Sequence, residues 1–242
     1  MMRYFAKIRY LGTNFHGFQV QPEKRTVQSV LSNGLFQALG YPCKVTGCSR
    51  TDAGVHALEQ CFSFKTNFSP NKLPLALNSK LPDDIKILWA KEVEPNFHAR
   101  YSAHKKTYIY RLKTETIQSP FDYDTTAYIP YKLDLKKMQE AAKYFIGTHN
   151  FKAFCSAGTS VPTFEREIYS LKITRENNTC TFEICGNGFL YNMVRIIVGT
   201  LVDVGRGKLK PLDIEKILIS TKRESAGKTM PAKGLFLKCV EY

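Results

Sequence analysis

The sequence predicts an α+β protein, and three observations predict it. Residues 1–100 show hydrophobic periods in the order strand, helix, strand, strand, helix, strand. The rest opens on an aromatic-basic strand and continues with an amphipathic helix, a hairpin and a very apolar helix. The composition is that of a globular chain, with 242 residues and 43% hydrophobic content, enough to bury one large core or two modest ones. No internal repeat, low-complexity tract or heptad array appears.

The elements follow in order. Residues 3–10 alternate and read as a strand, followed by a loop over residues 12–19. Thr26 is a good helix N-cap, and Val27, Val30, Leu31 and Leu35 fall on one helical face. Gly40-Tyr41-Pro42 ends that helix. Strands are expected over 43–46 and 59–65. In the second, Cys61, Ser63 and Lys65 face one way and Phe62 and Phe64 the other. Ser69-Pro70 opens a second helix toward Leu77, with Pro70 at a permitted first position. Residues 85–93 complete a pattern like the ferredoxin-like split.

Lys105-Lys106-Thr107-Tyr108-Ile109-Tyr110-Arg111 begins the second half. Two readings fit it: a base-stacking platform with interleaved cations, or a core strand with solvated lysines. Residues 119–130 read as a connecting loop with a short strand, and 133–146 as an amphipathic helix stopped by Gly147. Residues 151–165 are expected to be a mobile surface loop. Residues 167–175 and 179–185 form a hairpin around Glu176-Asn177-Asn178. The segment 191–204 is apolar nearly all round except for Asn192, Arg195 and Asp203, which predicts a buried helix. Arg195 then either finds an anion, for which Asp52 is the candidate, or snorkels to a surface. A short helix is expected over 212–220. The predicted halves are 1–100 and 101–242.

Several functions are excluded. No apolar run is long enough to span a membrane. Met1-Met2-Arg3-Tyr4-Phe5-Ala6-Lys7 becomes charged again too soon for a signal peptide, so a cytoplasmic location is expected. The seven cysteines are scattered without a Cys-x-x-Cys pair, which argues for reduced, mostly buried thiols and against a zinc ribbon or disulfide framework. Asn177-Asn178-Thr179 matches a glycosylation acceptor that such a location would leave unused. Gly205-Arg206-Gly207-Lys208 and Gly227-Lys228-Thr229 imitate phosphate loops. The second fails because Lys222 stands where the first glycine is required.

The net charge of +14, from 35 basic and 21 acidic residues, is spread along the chain. A surface that basic suits a polyanion such as nucleic acid, unless it serves solubility alone.

The stretch with most chemistry is Gly47-Cys48-Ser49-Arg50-Thr51-Asp52-Ala53-Gly54-Val55-His56-Ala57. Arg50 and Asp52 are two apart, which in extended backbone turns them to one side. Ala53 and Gly54 leave room for a ligand beside the main chain. An ordinary hairpin turn has the same composition. The string Arg50-Thr51-Asp52-Ala53-Gly54-Val55-His56-Ala57 resembles the catalytic motif of the TruA family of tRNA pseudouridine synthases. Ser49 departs from the glycine expected there, and is small enough to replace it.

The resemblance runs from the first strand to the last. It implies two ferredoxin-like (RRM-like) α/β halves joined through a central, mostly antiparallel sheet. It implies Asp52 as the catalytic carboxylate, Tyr108 stacked on the target uracil, Arg195 reaching Asp52, and Leu235 lining the uracil pocket. It further implies a homodimer acting on tRNA at uridines 38, 39 and 40 of the anticodon stem-loop.

Pseudouridylation breaks the N1–C1′ bond, turns the base and rejoins it through C5. Nothing is oxidised or transferred to another molecule, so no cofactor or metal is expected. One carboxylate suffices, by attack at C1′, removal of a 2′ proton or addition at C6, and a neighbouring arginine keeps it ionised. Arg50 and Arg195 both suit that role. Arg50 also suits the place vacated by a flipped base. Two rivals share parts of this pattern: a glycoside-cleaving enzyme on RNA, which typically uses two carboxylates, and a non-catalytic RNA-binding module, which has no need of Asp52.

Overall fold

The structure, a computed structural model, describes residues 1–69, 72–158 and 161–242. In chain order the elements are β1 (Met2–Tyr10), α1 (Val27–Leu39), β2 (Thr46–Gly47), β3 (His56–Thr66), α2 (Leu73–Asn78), β4 (Ile85–Val93), β5 (Lys105–Lys113), β6 (Ala127–Tyr128), α3 (Leu135–Ala142), β7 (Gly147–Asn150), β8 (Glu165–Glu176), β9 (Thr179–Gly186), α4 (Met193–Gly205), α5 (Asp213–Ser220) and β10 (Leu235–Glu241). This is the predicted α+β class. The chain divides into two compact units, Met1–His104 with Phe236–Tyr242, and Lys105–Leu235.

In the first unit β1 lies between β3 and β4, antiparallel to both, and β10 runs parallel to β3. Tyr4, Ala6 and Ile8 are buried on one face, and their partners Phe64 and Phe62 share it. On the other face Phe5 meets Trp89, Phe97 and Tyr242 edge-on, with centroids 5.4, 4.9 and 4.8 Å away. Helix α1 begins as predicted. Thr26 and Ser29 form a reciprocal capping box, and Gly40 at φ +81° ends the helix in the left-handed conformation that glycine tolerates. Val27, Leu31 and Leu35 are fully buried and Val30 is half-buried. The expected start of the second helix at Pro70 lies outside the described residues; α2 itself buries Leu73 and Leu77.

The second unit carries the antiparallel series β5, β9, β8 and β7, with β6 parallel to β5. Asn177 at φ +52° makes the β8–β9 turn. Helix α3 packs on α4 and β8. As its composition predicts, α4 is buried nearly all round. Gly199 permits close backbone packing there: a β-carbon on it would stand 1.9 Å from the Lys228 carbonyl oxygen. The Gly227 amide donates to Thr200 Oγ1 at 2.8 Å. Gly227-Lys228-Thr229 is thus a packing segment against α4, not a phosphate loop.

Four expectations are corrected. The strand over 43–46 is reduced to Thr46–Gly47, and the Phe18 ring fills the place of a Gly47 side chain, 2.3 Å from its would-be β-carbon. Helix α3 starts at Leu135 because Asp134 caps it, accepting from the Lys137 amide at 3.1 Å. Helix α4 starts at Met193 because Asn192 sits at φ +60°, outside helical geometry. The stretch 151–165 is not wholly surface loop: Phe151, Ala153 and Phe154 are fully buried, and Phe154 stands edge-on to Phe145 at 5.1 Å. Burying two aromatic rings repays ordering that turn.

All seven cysteines are free thiols, six of them buried. No helix among the described residues is long and apolar enough to cross a membrane. Among them, too, no group of three or more His, Cys, Asp or Glu residues is placed to hold a metal.

Candidate active site

Asp52 begins a tight turn in the first unit. The Val55 amide donates to the Asp52 carbonyl at 3.1 Å, and Gly54, third in the turn, has φ +76°. A type II turn demands that conformation at that position, which explains Gly54 physically. The Asp52 side chain is partly exposed, whereas Thr51, Val55 and His56 are buried. Arg50 is exposed, and its Nη1 donates to Gln19 Oε1 at 3.2 Å.

The turn is held from below by a strap running from Gly12 to Phe18. The Phe18 amide donates to the Thr51 carbonyl at 3.0 Å, and the Gly54 amide to the Phe15 carbonyl at 3.1 Å. The Tyr10 and Thr51 hydroxyls share a buried hydrogen bond at 2.7 Å. Gly12 and Gly17 are where a side chain cannot fit. A β-carbon on Gly12 would stand 2.0 Å from the Val55 carbonyl oxygen, and one on Gly17 would stand 2.8 Å from that of Thr51.

The root of the loop is held by Gln60, which is fully buried in β3. Its Nε2 donates to the Ser49 carbonyl at 2.9 Å, and its Oε1 accepts from the Cys48 thiol at 2.6 Å and the Cys61 amide at 3.2 Å. A hydrogen bond with Cys48, reinforced by burial, pushes the Cys61 thiol far above the ordinary range. That thiol stays protonated and inert.

In the second unit Tyr108 lies on β5, buried, with its ring edge-on to Phe189 at 5.1 Å. Tyr110, two residues on, is fully buried, and its hydroxyl donates to the Pro231 carbonyl at 2.8 Å. Burial pushes this phenol well above its usual range, and the positive charge of Arg195 works against that shift. Core-strand and platform readings therefore divide between the two rings only in part: Tyr110 is a core tyrosine.

Arg195 is half-buried on α4. Its Nε donates to the Met230 carbonyl at 2.6 Å and its Nη1 to Asn192 Oδ1 at 2.6 Å. The left-handed Asn192 that delays the helix thus also orients its arginine. Leu235 is buried at the start of β10. Its neighbour Gly234 lies on Tyr110, whose ring would stand 2.7 Å from an added β-carbon. Arg195 and Tyr110 thereby fasten successive carbonyls, Met230 and Pro231, of the segment that leads to Leu235.

The first unit presents Asp52 with Arg50, and the second gathers Arg195 and the Leu235 segment near Tyr110. Sequence reasoning missed Gly12, Gly17, Tyr10 and Gln60 as supports of the Asp52 turn. The pairing of glycines at 12 and 17 with a small-residue turn was the one available signal.

Asp52 thus stands partly exposed on a tight turn, two residues along the chain from Arg50, in a strongly basic α+β chain. The family described as tRNA pseudouridine synthase matches residues 6–102 and 141–242. The chain is 46% identical over 245 residues to tRNA pseudouridine synthase A of Bacillus pumilus, covering 100% of this chain and 99% of that one. It is 45% identical over 244 residues to the protein of the same name from Caldicellulosiruptor bescii, covering 100% of both. For that of Thermoanaerobacter sp. the figures are 47% over 237 residues and 97% of each chain. The chain belongs to the tRNA pseudouridine synthase family.

Proposed function

We propose that this chain isomerises uridine to pseudouridine in the anticodon stem-loop of tRNA, at positions 38, 39 and 40, with Asp52 as the catalytic carboxylate. The observation that carries the proposal is the Asp52 turn, a single partly exposed carboxylate held rigidly from two sides. It stands in a chain related end to end to tRNA pseudouridine synthase A proteins.

The half formed by residues 1–100 supplies Asp52, and residues 101–242 supply the groups that receive the base. Arg50 fills the place of the flipped nucleotide, Tyr108 stacks on the uracil, Leu235 lines its pocket, and Arg195 keeps the carboxylate ionised. Stacking on an aromatic ring suits any pyrimidine. The +14 charge supplies the phosphate contacts that hold tRNA. The reaction needs no cofactor or metal, since the broken N1–C1′ bond is replaced by a C5–C1′ bond within one nucleotide. The protein works in the cytoplasm as a homodimer.

Tritium release from C5 of uracil in labelled bulk tRNA tests the proposal. Tritium release without loss of base is expected, with the pseudouridines then mapping to positions 38 to 40. Appearance of free uracil would mark a glycoside-cleaving enzyme, and binding without release an RNA-binding module; either result overturns the proposal.

A further inference from the structure

His56 belongs to the string that contains Asp52, yet nothing in the proposed chemistry uses it. It is 1% exposed and is the first residue of β3. Its Nδ1 accepts the Gly12 amide hydrogen at 2.8 Å, and its ring stacks on Phe236 with centroids 4.6 Å apart and planes at 30°. A histidine nitrogen that accepts carries no proton, so the proton of this neutral ring sits on Nε2.

Gly12 is where the strap begins. Its backbone lies so close to Val55 that no side chain fits, and from there the strap reaches the carbonyl of Thr51 and the amide of Gly54 on the two flanks of Asp52 and Ala53. We propose that His56 is a positioning residue for Asp52: its Nδ1 lone pair fixes Gly12, and through Gly12 the strap that sets the carboxylate turn. The inference rests on the reading of Asp52 as the catalytic carboxylate. An error on the order of 1 Å in placing a reacting group costs roughly a hundredfold in rate, which sets the scale of the expected effect.

Two substitutions separate positioning from packing. In His56→Asn the amide oxygen takes the place of Nδ1 and can still accept from Gly12. In His56→Gln the amide is one bond further out, near the place of Nε2, and cannot. Both lose the ring stacked on Phe236, so both lower the melting temperature. The expected result is that H56N turns over at least roughly tenfold faster than H56Q, while KM for tRNA stays similar in the two. Equal turnover in both variants, or a difference confined to KM, overturns the inference. Nitrogen NMR of histidine-labelled wild-type protein at neutral pH gives a second test that needs no variant to fold. An unprotonated Nδ1 with the proton on Nε2 is expected, and a protonated Nδ1 overturns it. Neither readout depends on whether Asp52→Asn is inactive, so failure here is distinct from failure of the catalytic assignment.

Discussion

The Phe18 amide donates to the Thr51 carbonyl at 3.0 Å, so a residue 33 positions earlier in the chain sets the peptide that leads into Asp52. Gly17 makes this contact possible. It combines φ +86° with a would-be β-carbon 2.8 Å from the Thr51 oxygen. Gly17→Ala must therefore push the strap away from the turn. It should lower stability by about 1–3 kcal/mol and turnover by roughly tenfold or more. Urea denaturation and single-turnover kinetics measure the two effects.

Thr26→Ala removes the side chain that caps α1 and half of its capping box with Ser29. The expected loss is about 0.5–2 kcal/mol in urea denaturation. Turnover by the folded fraction should be within a factor of about two of wild type, because a cap acts on global stability rather than on the site.

Thr26, Gly40 and the strand Ile85–Val93 were legible because each is signalled locally, by a cap, a left-handed glycine or an alternation. The supports of Asp52 were not. Gly12 and Val55, Tyr10 and Thr51, and Ser49 and Gln60 meet only after folding, and contacts between distant segments leave no periodicity. Phe151 and Phe154 were misread because the polar residues around them outweighed two rings in composition. Asn192 was misread because nothing in an apolar run announces a positive φ. The string Arg50–Ala57 was legible as chemistry only through resemblance, since an ordinary turn has the same composition.

Binding of tRNA should be dominated by phosphate contacts, given the +14 charge. The log–log plot of affinity against salt should fall with a slope of about −0.7 to −0.9 per neutralised phosphate. Filter binding or fluorescence titration across a salt series checks this. A nearly flat line would contradict it.

Tyr108→Phe keeps the ring beside Phe189 and removes the hydroxyl, which we expect to assist a proton transfer such as departure of the C5 proton. Binding should be spared and turnover slowed, by roughly a hundred- to ten-thousandfold if the hydroxyl acts as a general acid or base. Tyr108→Leu should harm both, because it also removes the stacking surface. Wild-type turnover in the Phe variant would remove the role of the hydroxyl and leave that of the ring.

Asp52→Asn tests the account at its centre. The substitution is nearly isosteric, and the turn bond made at this position is accepted by the Asp52 backbone carbonyl, which asparagine keeps. Folding and tRNA binding should therefore persist. The amide is neither a nucleophile nor a base of comparable strength, so tritium release from C5 of uracil in tRNA should fall to background. Asp52→Glu keeps the charge but shifts the oxygens by about one carbon–carbon bond, and should lose roughly a hundredfold. The decisive measurement is tritium release by Asp52→Asn on a tRNA that it demonstrably binds. Background release is the predicted result, and substantial release would contradict Asp52 as the catalytic carboxylate.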